Sequence, residues 1–272
     1  AYNCEPVADF FDFFLLGEGE DIICEVVDEY VKWKKRGSKN RKEYLEEIAK
    51  IDGVYVPSFY DVEYNDDNTV KSVTPNNPNA KRTIRKRIMA DFDKTPAPDN
   101  IIVPYGDVVH DRVMLEVFRG CIRGCRFCQA GYIYRPVRER KASTLTCLAD
   151  HLLDSSGYDE ISLSSLSTSD YRELPELTNR LLEITEEKKI NLSLPSLRID
   201  NFSLDLMEKV QKVRKTGITF APEAGTQRMR DVINKNITEE NIINSVRMLF
   251  AGGWTSVKLY FMIGLPFETD ED

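Results

Sequence analysis

Histidine is nearly missing: His110 and His151 are the only two in 272 residues. Neither has ligand-like spacing to the cysteines, so a zinc site completed by imidazole is not expected. Long hydrophobic runs are lacking as well. None approaches the 18 residues that a membrane-spanning helix needs, and the opening does not have the pattern of a signal peptide. Positive charge is in deficit, 37 Lys and Arg against 45 Asp and Glu, for a formal net charge of −8. That excludes a wholly basic, nucleic-acid-coating protein but leaves room for a local basic face. Internal repeats and low-complexity tracts are absent.

What is present is 42% apolar and 30% charged residues, an ordinary balance for a soluble globular protein with a sizeable core. The chain opens at Ala1 without a methionine. It closes on Glu-Thr-Asp-Glu-Asp, the beginning of a helical turn, and so reads as part of something longer.

Six cysteines occur, three of them within eight residues: Cys121, Cys125 and Cys128. A secreted disulfide framework would spread its cysteines through a shorter chain, so the expected compartment is the cytoplasm and the expected role is metal binding. Cys4, Cys24 and Cys147 lie inside apolar patterns and read as buried small hydrophobes.

Residues 1–35 read as the end of an α/β unit. Phe10–Leu16 is a strand-like apolar run, Gly17-Glu18-Gly19-Glu20 a turn, and Asp21–Trp33 a helix. Its apolar stripe is Ile22, Ile23, Val26, Val27, Tyr30 and Val31. Residues 36–104 read as a connector. It holds a short helix over Arg41–Lys50, a hairpin turning at Asn65-Asp66-Asp67-Asn68, and an exposed basic run, Lys81–Arg87.

From 105 to 272 the pattern alternates. Strands are expected over Val113–Phe118, Glu160–Leu166, Ile190–Leu194, Gly217–Ala221 and Ser256–Ile263. Helices are expected over Thr144–Asp154, Leu174–Lys188, Leu204–Lys212, Thr226–Ile233 and Glu239–Phe250. Strand and helix in alternation mean parallel βαβ units, either doubly wound or part of a barrel. The continuous apolar run from Val257 to Ile263 predicts a last strand covered on both faces.

Cys121-Ile-Arg-Gly-Cys125-Arg-Phe-Cys128 follows directly on the first of these strands. Three thiolates in one tight loop can ligate three corners of a cubane iron–sulfur cluster and leave the fourth iron open. A structural zinc site, the alternative, needs a fourth ligand.

This C-x3-C-x2-C spacing, with an aromatic before the last cysteine, resembles the radical S-adenosylmethionine (SAM) superfamily. The resemblance implies a partial (β/α) barrel of radical SAM type. It also implies a 4Fe–4S cluster on Cys121, Cys125 and Cys128, with SAM bound at the open iron and cleaved to a 5′-deoxyadenosyl radical. By position, Phe127 would lie by the adenine. Ser164 and Ser165 end the second strand, where the superfamily usually has a Gly-Gly-Glu-type segment for the SAM amino group. Ser196 and Arg198, in Leu-Pro-Ser-Leu-Arg, match a ribose- or carboxylate-binding position. Glu223 and Arg228 match a Gln/Glu-x-Gly-Ser-x-x-Arg segment, and Gly264 a segment that flanks adenine. Each also has a plainer reading: strand-end serines, a surface ion pair, a first-turn acid, a turn glycine.

Asn3-Cys4-Glu5-Pro6 and the segment after it are similar to the end of a Rossmann-like cobalamin-binding domain. The whole chain then resembles the cobalamin-domain-fused radical SAM proteins. The fold expected is therefore α/β, with 1–35 a remnant of that cobalamin-binding domain, 36–104 a connector and 105–272 a truncated radical SAM core. Cobalamin would be bound only by the longer parent, since no Asp-x-His-x-x-Gly ligand segment exists here. Residues 119–141 carry seven Arg and Lys against one Glu. Such a basic rim predicts an anionic substrate or RNA; the resemblance further implies a low-potential electron donor. The alternative classes are a tRNA-modifying methylthiotransferase-like enzyme and a non-catalytic, metal-stabilised binding module.

Overall fold

A computed structural model describes residues 3–98, 100–201, 209 and 217–272. The chain divides into two compact units, Ala1–Asp91 and Phe92–Asp272. No helix among the described residues is long and apolar enough to cross a membrane.

In the first unit, β1 (Phe14–Leu15) pairs antiparallel with β2 (Val54–Tyr55), and β3 (Tyr60–Tyr64) with β4 (Val70–Pro75). Helices α1 (Glu20–Lys35) and α2 (Arg41–Ile48) pack on the first pair; Asn40 caps α2 by accepting from the Lys42 amide. Ile22, Val26, Leu45, Ile48, Val54, Val56 and Phe59 form one core, so the segment read as a connector shares its interior with residues 1–35. The expected strand over Phe10–Leu16 shrinks to β1. Pro6 starts a 3-10 turn over Glu5–Phe10, and Phe10 and Phe11 are exposed. Only Ile22 and Val26 of the α1 stripe are buried.

The second unit is built from β5 (Val113–Glu116), β6 (Phe118–Arg119), β7 (Arg138–Glu139), β8 (Glu160–Ser164), β9 (Asn191–Ser193), β10 (Ile218–Glu223) and β11 (Val257–Phe261). Its helices are α3 (Ala130–Ile133), α4 (Ala142–Ser156), α5 (Leu174–Lys188), α6 (Gln227–Val232) and α7 (Glu239–Ala251). Strands β5, β8 and β9 form a parallel sheet in chain order, and β10 pairs parallel with β11. Neighbours in chain order, each joined through a helix, are the winding of a barrel rather than of a doubly wound sheet. The helix expected over 204–212 lies, but for Lys209, outside the described residues.

One face of the three-stranded sheet is covered. Val113, Leu115, Ile161, Leu163 and Leu192 meet Leu145, Ala149, Leu152, Leu177 and Leu181 of α4 and α5. Because side chains alternate along a strand, the opposite face carries the registered sets Met114, Ser162, Ser193 and Glu116, Ser164. The second pair does the same: Ile218 and Phe220 pack with Leu249 and Trp254, while Thr219 and Lys258 sit side by side on the other face. Strand β11 is therefore not covered on both faces as its apolar run predicts. Val257 and Leu259 turn inward, and Tyr260 and Phe261 are half exposed.

Cys24 and Cys147 are also exposed, contrary to expectation, whereas Cys4 is buried. Each exposed cysteine sits two residues from its helix's buried positions, Ile22 and Val26 in one case and Leu145 and Ala149 in the other. Two residues at 3.6 per turn point to the opposite side.

Candidate active site

The thiol loop opens where the short β6–β7 hairpin closes. Gly120 follows β6 with φ of 94°, and a Cβ there would stand 2.8 Å from the Tyr134 carbonyl oxygen. Only glycine allows that backbone approach. The loop then runs through Cys121, Cys125 and Cys128 into α3. All three thiols are free; Cys125 is buried and the other two are half-buried. The Arg123 amide donates to the Cys121 sulfur at 3.4 Å.

Two sets of contacts hold the loop. Arg123 forks across two carboxylates. Its Nε donates to Asp170, in the turn after β8, at 2.9 Å, and its Nη1 to Asp200, after β9, at 3.1 Å. Arg198 donates to both oxygens of Asp200, at 2.8 and 3.1 Å. On the other flank the Arg126 amide donates to the Ile233 carbonyl at 2.9 Å, its guanidinium to the Val232 carbonyl, and Asn234 to the Gly124 carbonyl at 2.8 Å. Arg135 donates to the Arg123 carbonyl at 2.9 Å.

Side-chain exposure in the Arg123 quartet is 24% for Arg123, 7% for Asp170, 16% for Asp200 and 10% for Arg198. Burial pushes the Asp170 carboxyl up, but the Arg123 guanidinium and the Ser167 hydroxyl outweigh it and hold the group below the ordinary carboxylate range. The Asp170 partner in turn raises Arg123.

The residues singled out from sequence fall at the C-terminal ends of the strands, where a βα barrel places its site. Phe127 is half-buried against Ala224, Met229, Ile233 and Leu265. Lys235 stands 5.8 Å from the Phe127 ring and 3.1 Å from the Glu223 carboxylate, and its carbonyl accepts from Arg198 at 3.1 Å. A continuous chain of contacts thus joins the thiol loop, Arg198, Phe127 and Glu223. Arg228 pairs with Asp272 and donates to the Phe267 carbonyl at 2.9 Å. The Gly264 amide donates to Glu268. Ser164 lies opposite Glu116, and its carbonyl accepts from Val117 at 3.0 Å. Ser165 shares a hydrogen bond with Thr168 at 2.9 Å. Among the described residues, no such contact brings Ser164 or Ser196 into the chain.

Two of these positions hold left-handed backbone without being glycine, Ser196 at φ of 60° and Glu223 at 71°. A register shift in the β10–β11 pair lies between Phe220 and Glu223. Strained residues and bulges at strand ends gather where side chains are aimed for function. Sequence reasoning missed Asp170, Asp200, Lys235 and Asn234. For the two aspartates and Asn234 the available signal was a short acid or amide just past a strand or helix end; Lys235 carried none.

Much of the basic run over 119–141 is spent inside this unit. Arg119 pairs with Glu116 at 2.8 Å, and Lys141 with Asp93 at 3.7 Å. Arg140, 4% exposed, donates to the Thr95 carbonyl at 2.9 Å.

Three soft, free sulfur donors in one loop suit iron–sulfur ligation by their chemistry. Among the described residues no three His, Cys, Asp or Glu side chains already stand as a metal-binding group. Ligation would draw the thiols together, as it does wherever metal binding and local folding are coupled.

The second unit is thus a βα array wound in barrel order, with three free thiols in the loop after β6. The Radical SAM superfamily matches residues 115–272, and an N-terminal family of radical SAM proteins matches residues 1–57. The chain belongs to the radical SAM superfamily. It is 34% identical over 272 residues to an uncharacterized protein of Methanocaldococcus jannaschii, covering 99% of this chain and 51% of that one. The chain thus spans about half the length of that relative.

Two solved structures share the fold. The cobalamin-dependent SAM radical enzyme OxsB, with aqua-cobalamin and SAM bound, superposes with a TM-score of 0.56 at 16% identity, over 96% of this chain and 34% of OxsB. The radical SAM methyltransferase TsrM from Kitasatospora setae, with cobalamin and a [4Fe-4S] cluster bound, gives 0.55 at 11%, over 94% and 47%.

Proposed function

We propose that this chain is the cofactor-holding core of an enzyme that cleaves SAM reductively through a 4Fe–4S cluster. The observation that carries the reading is the trio of free thiols in a loop tethered on both flanks at the mouth of a parallel βα array. Cys121, Cys125 and Cys128 would hold the cluster, and Phe127, Arg198 and Glu223 stand in the contact chain nearest to it. When bound, the cluster supplies one electron to the sulfonium of SAM, which yields methionine and a 5′-deoxyadenosyl radical.

The chain's own residues orient and shield. Phe127, seated on an apolar cluster, offers a flat face to a purine. Arg198, already fixed by Asp200, presents a planar cation suited to a carboxylate. Methyl transfer, sulfur insertion and rearrangement can share this core, so the reaction beyond the radical step is set by groups outside it.

The test is anaerobic reconstitution with iron and sulfide, followed by SAM and a low-potential reductant. About four irons and four sulfides per chain, with 5′-deoxyadenosine released, is the expected result. Serine at any one of the three cysteines should abolish both. A chain that takes zinc alone and leaves SAM intact would instead be a metal-stabilised binding module.

A further inference from the structure

The sequence assigns Arg123 no role beyond a place in a basic run, yet its side chain bonds two carboxylates at once. It sits between Cys121 and Cys125, and its guanidinium reaches the turns after two successive strands at once. The two carboxylates it reaches are each held by a further donor, Asp170 by the Ser167 hydroxyl at 2.7 Å and Asp200 by Arg198. Arg198 is fixed again through its own amide, which donates to Ser169 at 2.9 Å. Two guanidinium groups and two carboxylates thus form a balanced, largely water-excluded quartet directly under the loop.

We propose that Arg123 is the positioning residue that sets the cysteine loop in register with the strand ends, through a fork that needs both Asp170 and Asp200. A lysine could satisfy one carboxylate as a point charge, but only the planar, multi-donor guanidinium spans the two turns. The quartet also places net charge beside the sulfurs. Loss of Arg123 alone leaves the remaining three groups with one uncompensated negative charge, and added negative charge makes a nearby cluster harder to reduce.

The inference rests on the cluster reading above, and its test has one arm that needs no cluster. In the metal-free chain, Arg123→Ala and Asp170→Asn should each raise amide hydrogen exchange over 121–128 at least tenfold. Helices α4 and α5 should stay as protected as in wild type. Arg123→Lys, which keeps the charge, should fall between. Arg180→Ala, which cuts an exposed helix-surface pair, should change nothing.

In the reconstituted chain, Arg123→Ala should shift the cluster midpoint to more negative potential, followed by electron paramagnetic resonance. Wild-type exchange in the loop of Arg123→Ala, or wild-type exchange and midpoint in Arg123→Lys, would overturn the proposal. A wild-type chain that takes up no iron and sulfide would overturn the cluster reading instead, whatever the exchange arm shows.

Discussion

Gly120→Ala is a sharp test of how the thiol loop is built. The residue holds φ of 94°, a region that costs an L-residue about 1–2 kcal/mol. The added Cβ would also meet the Tyr134 carbonyl oxygen at 2.8 Å, the Pro136 carbonyl oxygen at 3.0 Å and the Val137 Cα at 3.0 Å. All are backbone atoms of the segment that leads from α3 into β7, so no flexible side chain can give way. Prying the β6–β7 hairpin apart adds about 1–3 kcal/mol, the usual cost of overpacking. The sum is about 2–5 kcal/mol. For a unit of this size each kcal/mol lowers the melting temperature by about 2–4 °C.

A fall of roughly 4–20 °C is thus expected by circular dichroism, with the earliest loss of amide protection over 118–139. Gly106→Ala is the control, since nothing lies within 4 Å of its added methyl. A Gly120→Ala chain that melts within a degree of wild type would refute the packing argument.

Further outcomes can be stated. Arg230 is 2% exposed and donates to the Ile237, Ala224 and Gly225 carbonyls at 3.0 Å each. Arg230→Leu strips the guanidinium from these acceptors and should cost about 3–5 kcal/mol in urea unfolding. Asp170 has a folded-state pKa below its ordinary 3.8, so the stability it lends is complete above that value and lost as pH falls through the folded value. Amide protection of residues 121–128 should be flat from about pH 7 to 5 and drop below 3.8 in wild type, while Asp170→Asn shows a smaller acid-dependent drop. Ser196→Gly relieves left-handed backbone and should stabilise the chain by about 0.5–1 kcal/mol. Lower SAM affinity in that variant, read by calorimetry on the reconstituted chain, would assign the hydroxyl to the cofactor.

The parts of the fold legible in the sequence are those with a strong local period. The leucine stripe of Leu174, Leu177 and Leu181, opened by Pro175, gives α5 its observed bounds. The thiol spacing marks its own loop. What stayed hidden depends on neighbours that local pattern does not name. Arg123 lies 47 residues from Asp170 and 77 from Asp200, and only the barrel winding brings the turns after β8 and β9 beneath it. The apolar run Phe10–Leu16 misled because hydrophobic content without alternation does not distinguish a buried strand from a turn with exposed aromatics. The run from Val257 misled for a related reason. Burial on its second face depends on what lies beside β11, which its own residues do not encode.

Apart from Met114, the strand faces turned away from the helices carry polar side chains, Glu116, Ser162, Ser164, Ser193, Thr219 and Lys258. Anything that seats against them must exchange water for matching donors and acceptors one by one. Discrimination there comes from leaving a hydroxyl or a charge unanswered when the wrong molecule arrives, a penalty steeper than that of a missing methylene in a greasy slot.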